Sequence, residues 1–184
     1  MPPKYVKTIQ QELYYEYAKL ICRSVYGSVE PHRGFVTDRY KKLQDGLITI
    51  SGTIREWQRE QELPRQCVFC GSVEHLQTDH LIPRSRGGAD SADNLVPACA
   101  SCNASRGEQG VFAWLGLKEK DRLHRLVAGK YLKELFDLHE RCGTLDVDTD
   151  TLTSRLCPAC KNPPVCRRWN TTGQLTCFCL EAVF

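Results

Sequence analysis

The chain has 184 residues, 41% of them hydrophobic and 26% charged, with a formal net charge of +3. This is the composition of a soluble globular protein of one ordinary domain with decorated ends, only mildly basic, so nucleic-acid binding is permitted and not demonstrated. No apolar run approaches the roughly 20 residues that cross a bilayer, and the N-terminal stretch MPPKYVKTIQQELYYEYAK lacks the apolar core and small-residue cleavage site of a secretory signal.

From Lys4 to about Val25, apolar residues recur at three- and four-residue steps, which predicts an amphipathic helix. Gly27, Pro31 and Gly34 break that pattern, and a second short helix is predicted over Phe35 to Gln44. Ser51 is placed to cap a further helix that ends near Leu63, before Pro64. The stretch from Cys67 to Pro97 reads as irregular, with a short strand on each side of the loop PRSRGGADSADN. A helix is then predicted from Ala100, carrying Cys102, Asn103 and Arg106, and a long one from Glu119 to Cys142. The acidic, polar stretch GTLDVDTDTLTS reads as a linker, and beyond it two short strands, Val165 to Asn170 and Leu175 to Leu180, flank the turn TTG. Tyr14, Tyr15 and Tyr17 lie on the first amphipathic helix, where core and interface packing is the ordinary use of such residues.

Eleven cysteines are unusual in such a chain. An odd total without a signal peptide argues against a disulfide framework, and places the chain in a reducing cytoplasm. The spacing argues for metal. Cys67/Cys70 and Cys99/Cys102 are both Cys-x-x-Cys pairs, the arrangement in which one tight turn offers two thiolates to one Zn²⁺. A closed set of four thiolates leaves no position for water, so this zinc is expected to be structural.

Between and just after those pairs stand Asp79, His80, Asn94 and Asn103. Hydrolysis of a phosphodiester needs an activated water, a cation to stabilise developing charge, and firm positioning of both. A neutral imidazole suits the first task at physiological pH. Carboxylate and amide oxygens suit the second, because Mg²⁺ prefers hard oxygen ligands. Adjacent strand residues point to opposite faces, so Asp79 and His80 serve one site only if the strand twists or ends there, and Pro83 favours an ending.

The segment from Cys67 to Arg106 resembles the HNH endonuclease family, whose small ββα-metal fold cuts phosphodiester bonds. The resemblance implies that Asp79 binds the catalytic metal, His80 is the general base, Asn94 braces the loop carrying that base, and Asn103 completes the metal site from the following helix. Gly87-Gly88 and Asn94-Leu95-Val96 also match the family's loop. With Asn103 in the third position, oxygen-ligated Mg²⁺ or Mn²⁺ is favoured over a catalytic Zn²⁺. Arg84, Arg86 and Arg106 crowd the same segment and are candidate contacts to DNA phosphates. His32, His75, His124 and His139 lack a comparable setting and are expected at the surface or in satisfied interfaces.

The cysteine pair Cys157/Cys160 is expected to be a second zinc knuckle, with partners drawn from Cys166, Cys177 and Cys179. Resemblance to a zinc ribbon favours Cys177 and Cys179. Arg167, Arg168 and Trp169 lie on the hairpin that follows Cys160, where contact with DNA and stabilisation of the fold or of a dimer are equally good uses.

The expected protein is therefore α+β and mainly helical. Residues 1–64 form a helical N-terminal region, 65–116 the HNH core with its Cys₄ zinc, 117–145 a long helix and 146–184 a zinc-ribbon-like hairpin. The expected function is metal-dependent hydrolysis of double-stranded DNA by a restriction-type or phage-defence endonuclease. A homodimer is the economical way to cut both strands, since one ββα core has one active site. The alternatives are a nicking or homing-type nuclease of a mobile element, and a zinc-dependent DNA-binding module with an idle nuclease site.

Overall fold

The computed structural model describes residues 3–50, 64–86, 88–116, 122–141 and 143–148. The helix expected between Ser51 and Leu63 and the whole C-terminal cysteine region, including Cys157, Cys160, Cys166, Cys177 and Cys179, lie outside the described residues.

The first helix, α1 (Ile9–Tyr26), starts later than its apolar pattern because Thr8 caps it. The Thr8 hydroxyl accepts from the Gln11 amide, and the Gln11 carboxamide accepts from the Thr8 amide. This reciprocal pair satisfies donors that the first turn cannot bond internally. The helix ends at Gly27, whose φ of 77° suits a residue without a side chain. Its remaining free amides are met by a later segment: Ile9 N–H donates to Val147 O and Gln10 N–H to Leu145 O. The second helix, α2 (Arg33–Gln44), packs on α1 through Val36, Tyr40 and Leu43.

Two short strands, β1 (Leu76–His80) and β2 (Leu95–Cys99), pair antiparallel, with Leu76 opposite Cys99 and His80 opposite Leu95. The next helix, α3 (Ala100–Arg106), follows β2 directly and packs against both strands. Two strands and this helix make the small ββα unit expected from the sequence. A five-residue helix that the periodicity does not announce, α4 (Val111–Leu115), is bracketed by Gly110 and Gly116.

The last described helix, α5 (Arg125–Arg141), begins six residues later than expected from Glu119. The His124 ring nitrogen Nδ1 accepts from the Leu126 amide at 3.4 Å, so this side chain acts at the helix entrance. Helix α5 packs on α1, with Leu132, Leu135 and Leu138 in the shared core and Tyr14 of α1 stacked on Phe136 at 5.7 Å. Tyr14, Tyr15 and Tyr17 thus pack into protein, with Tyr15 meeting Tyr40 edge-on.

A single main core joins these helices to the ββα unit through Leu81, Ile82, Val96, Val111 and Phe112. Among the described residues, the far end of the hairpin has a small second cluster of Cys67, Ala98 and Cys99, flanked by Phe69, Leu76 and Cys102. A cluster of that size gains from a bound metal, which would supply folding energy there.

Candidate active site

The four thiols Cys67, Cys70, Cys99 and Cys102 have their sulfurs all within 4.8 Å of one another. The Cys70 and Cys99 sulfurs are 3.7 Å apart, too far for a disulfide and close to the ~3.8 Å edge of a tetrahedron with Zn–S bonds of about 2.3 Å. Each pair is shaped by its own turn. Gly71 (φ 78°) donates to Cys67 O, and the Cys102 amide donates to the Cys99 sulfur. Burial opposes ionisation of Cys67, but hydrogen bonds from the backbone at Cys99, Cys70 and Phe69 outweigh it and bring its pKa down to about 7. Burial and the neighbouring thiols push Cys102 up. One thiolate is thus favoured by the protein alone, and a bound cation would draw the protons from Cys70 and Cys102, whose ionisation the protein opposes. The residues present fit a structural zinc.

Asp79 and His80 end β1 on opposite faces, as strand alternation requires. On the face toward α3, Asp79 is buried and meets Arg106. The Arg106 guanidinium donates from Nε to Asp79 Oδ2 (3.2 Å) and from Nη2 to Asp79 Oδ1 (2.6 Å), a two-pronged pair. It also donates to the carbonyls of His80 (2.7 Å), Leu81 (3.3 Å) and Gln109 (3.0 Å). Arg106, expected from the sequence to face DNA, is instead 2% exposed and occupied within the fold. Its work is to fasten the end of β1 to α3. The positive charge needs that burial compensated, and one carboxylate plus three carbonyls compensate it.

Gln77 shares the α3-facing side of β1 with Asp79, two residues away. Its side-chain oxygen accepts from Asn103 Nδ2 at 3.1 Å. Asn103 stands one turn before Arg106 on α3, so the carboxylate and the amide are presented from neighbouring strand and helix positions. The oxygens on this side, those of a carboxylate already paired with Arg106 and of side-chain amides, are hard donors of the kind that suit Mg²⁺ or Mn²⁺.

On the other face, His80 Nε2 lies 3.0 Å from Asp90 Oδ1. An ionised carboxylate only accepts hydrogen bonds, so in this pairing Nε2 carries the proton. In neutral His80 the basic nitrogen is then Nδ1. The His80 side chain is 23% exposed, open enough to reach solvent.

Asn94 is fully buried at 0% exposure and uses both ends of its amide. Oδ1 accepts from Ile82 N–H (2.8 Å), while Nδ2 donates to Ile82 O (2.9 Å) and Ala89 O (2.8 Å). Its own carbonyl accepts from Leu81 N–H at 2.8 Å. The two residues after His80 are therefore tied to Asn94. Gly88 closes the same knot, since a Cβ there would sit 1.8 Å from Ile82 O and 2.8 Å from Asn94 Nδ2. Only glycine fits that approach. Arg84 is exposed on the short 3₁₀ turn Arg84–Arg86, and the side chain of Arg86 lies outside the described residues.

Residues 67–109 match the family model of the HNH endonucleases. This HNH segment contains both thiol pairs, Asp79, His80, Asn94, Asn103 and Arg106. The chain is also similar to the CRISPR-associated endonuclease Cas9 of Corynebacterium diphtheriae, 34% identical over 62 residues, which is 32% of this chain and 6% of that protein. The chain thus spans a small fraction of that relative's length. No solved structure matches the chain. Among the described residues, no helix is long and apolar enough to cross a membrane.

Three contacts of the site go beyond what the sequence reading assigned. Gln77 was within reach of strand alternation, being two residues before Asp79. Asp90 was not, because it meets His80 across an irregular loop whose path no spacing rule gives. The inward turn of Arg106 was hidden too, since charge patterning treats arginine as a surface residue.

Proposed function

We propose that the chain is a metal-dependent endonuclease that hydrolyses phosphodiester bonds of double-stranded DNA. The observation that carries this reading is His80, inside the HNH segment, with Nε2 engaged by Asp90 and the backbone after it tied to Asn94. In this reading His80 Nδ1 takes the proton from the attacking water. Asp90 holds the imidazole in that tautomer and orientation, and Asn94 fixes the height of the loop. Asp79 and Asn103 would hold Mg²⁺ or Mn²⁺ on the α3 side, and because β1 ends at His80 the ring and the ion would meet one phosphate at the strand's end. When bound, such an ion stabilises negative charge on the phosphate and on the leaving oxygen. Arg106 shares Asp79 with that ion and keeps the carboxylate from turning away. Arg84 and Arg86 are the remaining candidate contacts to phosphate.

The reading extends to the rest of the chain. Residues 65–116 serve as the nuclease core, the helical regions at 1–64 and 117–145 support it, and 146–184 form a zinc ribbon on Cys157, Cys160, Cys177 and Cys179. A restriction or phage-defence role in the cytoplasm, with a homodimer cutting both strands, fits a chain whose cysteines are spaced for metal and not for disulfides. Incubation of supercoiled plasmid with Mg²⁺ or Mn²⁺, against a chelator control, tests the activity. Linear product supports the paired cut, nicked product alone favours the nicking alternative, and binding without either product leaves the idle-site alternative.

Asn94→Ala and Asn103→Ala are expected to fail differently. Loss of Asn103 removes a proposed metal ligand, so its rate deficit shrinks in excess Mn²⁺. Loss of Asn94 frees Leu81 and Ile82 and misplaces the base, so added metal does not restore the rate. Single-turnover rates against metal concentration check this, and rescue of Asn94→Ala alone would mean the two roles are exchanged.

A further inference from the structure

The turn that carries Asn94 is gripped from outside the HNH segment. Lys130, on α5, is 4% exposed, and its Nζ donates to Ala92 O at 2.9 Å and Leu95 O at 3.2 Å. Lys133, three residues on and so on the same helix face, places its Nζ 3.1 Å from Asp93 Oδ2 and 3.1 Å from Asp137 Oδ2. Residues 92, 93 and 95 are thereby each held by a lysine of α5, with Asn94 between them. A buried ammonium is unfavourable unless its protons find acceptors, so Lys130 is fixed in place by the same carbonyls it fixes. Burial weakens the charge of Lys133, but its two carboxylate partners more than restore it and raise its pKa.

We propose that Lys130 is a positioning residue for His80, acting through the Ala92–Asn94 turn, and that Lys133 steadies the same turn from its outer side. The route is short and continuous. Lys130 holds the carbonyls on either side of Asn94, Asn94 holds the backbone of Leu81 and Ile82, and Leu81 follows His80 directly. The other end of the strand register agrees, since Leu95, whose carbonyl Lys130 takes, is the β2 partner of His80. The HNH segment is thus incomplete as a positioned site without α5. The catalytic consequence rests on the nuclease reading above, whereas the placement of the loop does not.

The test uses the full chain with zinc bound. In Lys130→Met, which keeps the length of the side chain and removes its donors, the Leu81 and Ile82 amides should exchange with deuterium faster while those of α1 are unchanged. With saturating Mn²⁺, kcat for DNA cleavage should fall by about 10- to 100-fold, the scale of a misplaced reacting group, with KM for DNA unchanged and no recovery in excess metal. Lys130→Arg retains donors and should recover most of the rate. The double variant Lys130→Met/Asn94→Ala should be no slower than Asn94→Ala alone, because both act on one route. Unchanged exchange at Leu81 and Ile82 would overturn the placement, even if the chain cleaves no DNA. Faster exchange with a wild-type kcat would overturn the effect on His80, and additive losses in the double variant would overturn the route through Asn94. If Lys130→Met does not fold, Lys133→Gln carries the same two measurements. Faster exchange with a smaller loss of kcat is then expected, and unchanged values would overturn the proposal. A wild-type chain that cleaves nothing would refute the nuclease reading and leave the exchange measurement to judge the placement.

Discussion

His80→Ala is expected to slow DNA cleavage by about 10²–10⁴-fold, the usual worth of a general base, while zinc content and DNA affinity stay near wild type. The reason lies in where the ring sits. His80 ends β1 with its backbone carbonyl bonded to Arg106 and its strand pairing made to Leu95. Those contacts belong to the backbone and survive the substitution. The ring itself is partly open and engages Asp90, a residue that is largely exposed. Removing it therefore deletes the proton acceptor and little packing. Single-turnover cleavage, zinc analysis and a binding titration on the same preparation check the three parts. Near-wild-type cleavage would remove His80 from the mechanism, and a parallel loss of zinc or binding would make its role structural.

Arg106→Met is expected to act in the opposite way, on stability first. The side chain is buried and makes five hydrogen bonds, two of them to the Asp79 carboxylate. Removing one member of a buried pair leaves the other charge without its partner, at a typical cost of about 3–5 kcal/mol. For a chain of this size that is a fall in Tm of roughly 6–20 °C. Pairing Arg106→Met with Asp79→Leu should recover part of the loss, since the stranded carboxylate is then gone as well. Thermal unfolding of both variants with zinc bound measures this. If Arg106→Met unfolds normally and only weakens DNA binding, then Arg106 faces the nucleic acid as its charge alone suggested.

What the sequence made legible was what depends on neighbours in the chain. Cys-x-x-Cys spacing is legible because a single turn places both sulfurs, and the four thiols do converge. The strand, loop, strand and helix order from Leu76 to Arg106 was legible from the loop PRSRGGADSADN, whose Pro and Gly residues separate the two strands. The start of α1 was legible in principle, since Thr8 and Gln11 stand at capping-box spacing, but the apolar period alone runs back past them. The helix α4 is too short for a period to register. Arg106, Asp90, Lys130 and Lys133 were not legible as site-building residues, because each acts through a contact between elements distant along the chain. A charged residue that turns inward is selected by the acceptors it finds there, and those acceptors are mostly backbone carbonyls, which leave no mark in the sequence.

Two metals would divide the labour: thiolates would hold a closed zinc that builds the site, and an open, oxygen-ligated cation would serve the cut. The most direct measurement is of metal content and single-turnover plasmid cleavage on one preparation, as Mn²⁺ or Mg²⁺ is added to protein purified in their absence. Close to two zinc ions per chain are expected throughout, one for each proposed thiolate site, with no cleavage before the addition and a rate that rises to saturation after it. Cleavage by the zinc-loaded protein alone, or a preparation that cleaves DNA while holding no zinc, would contradict that division of labour.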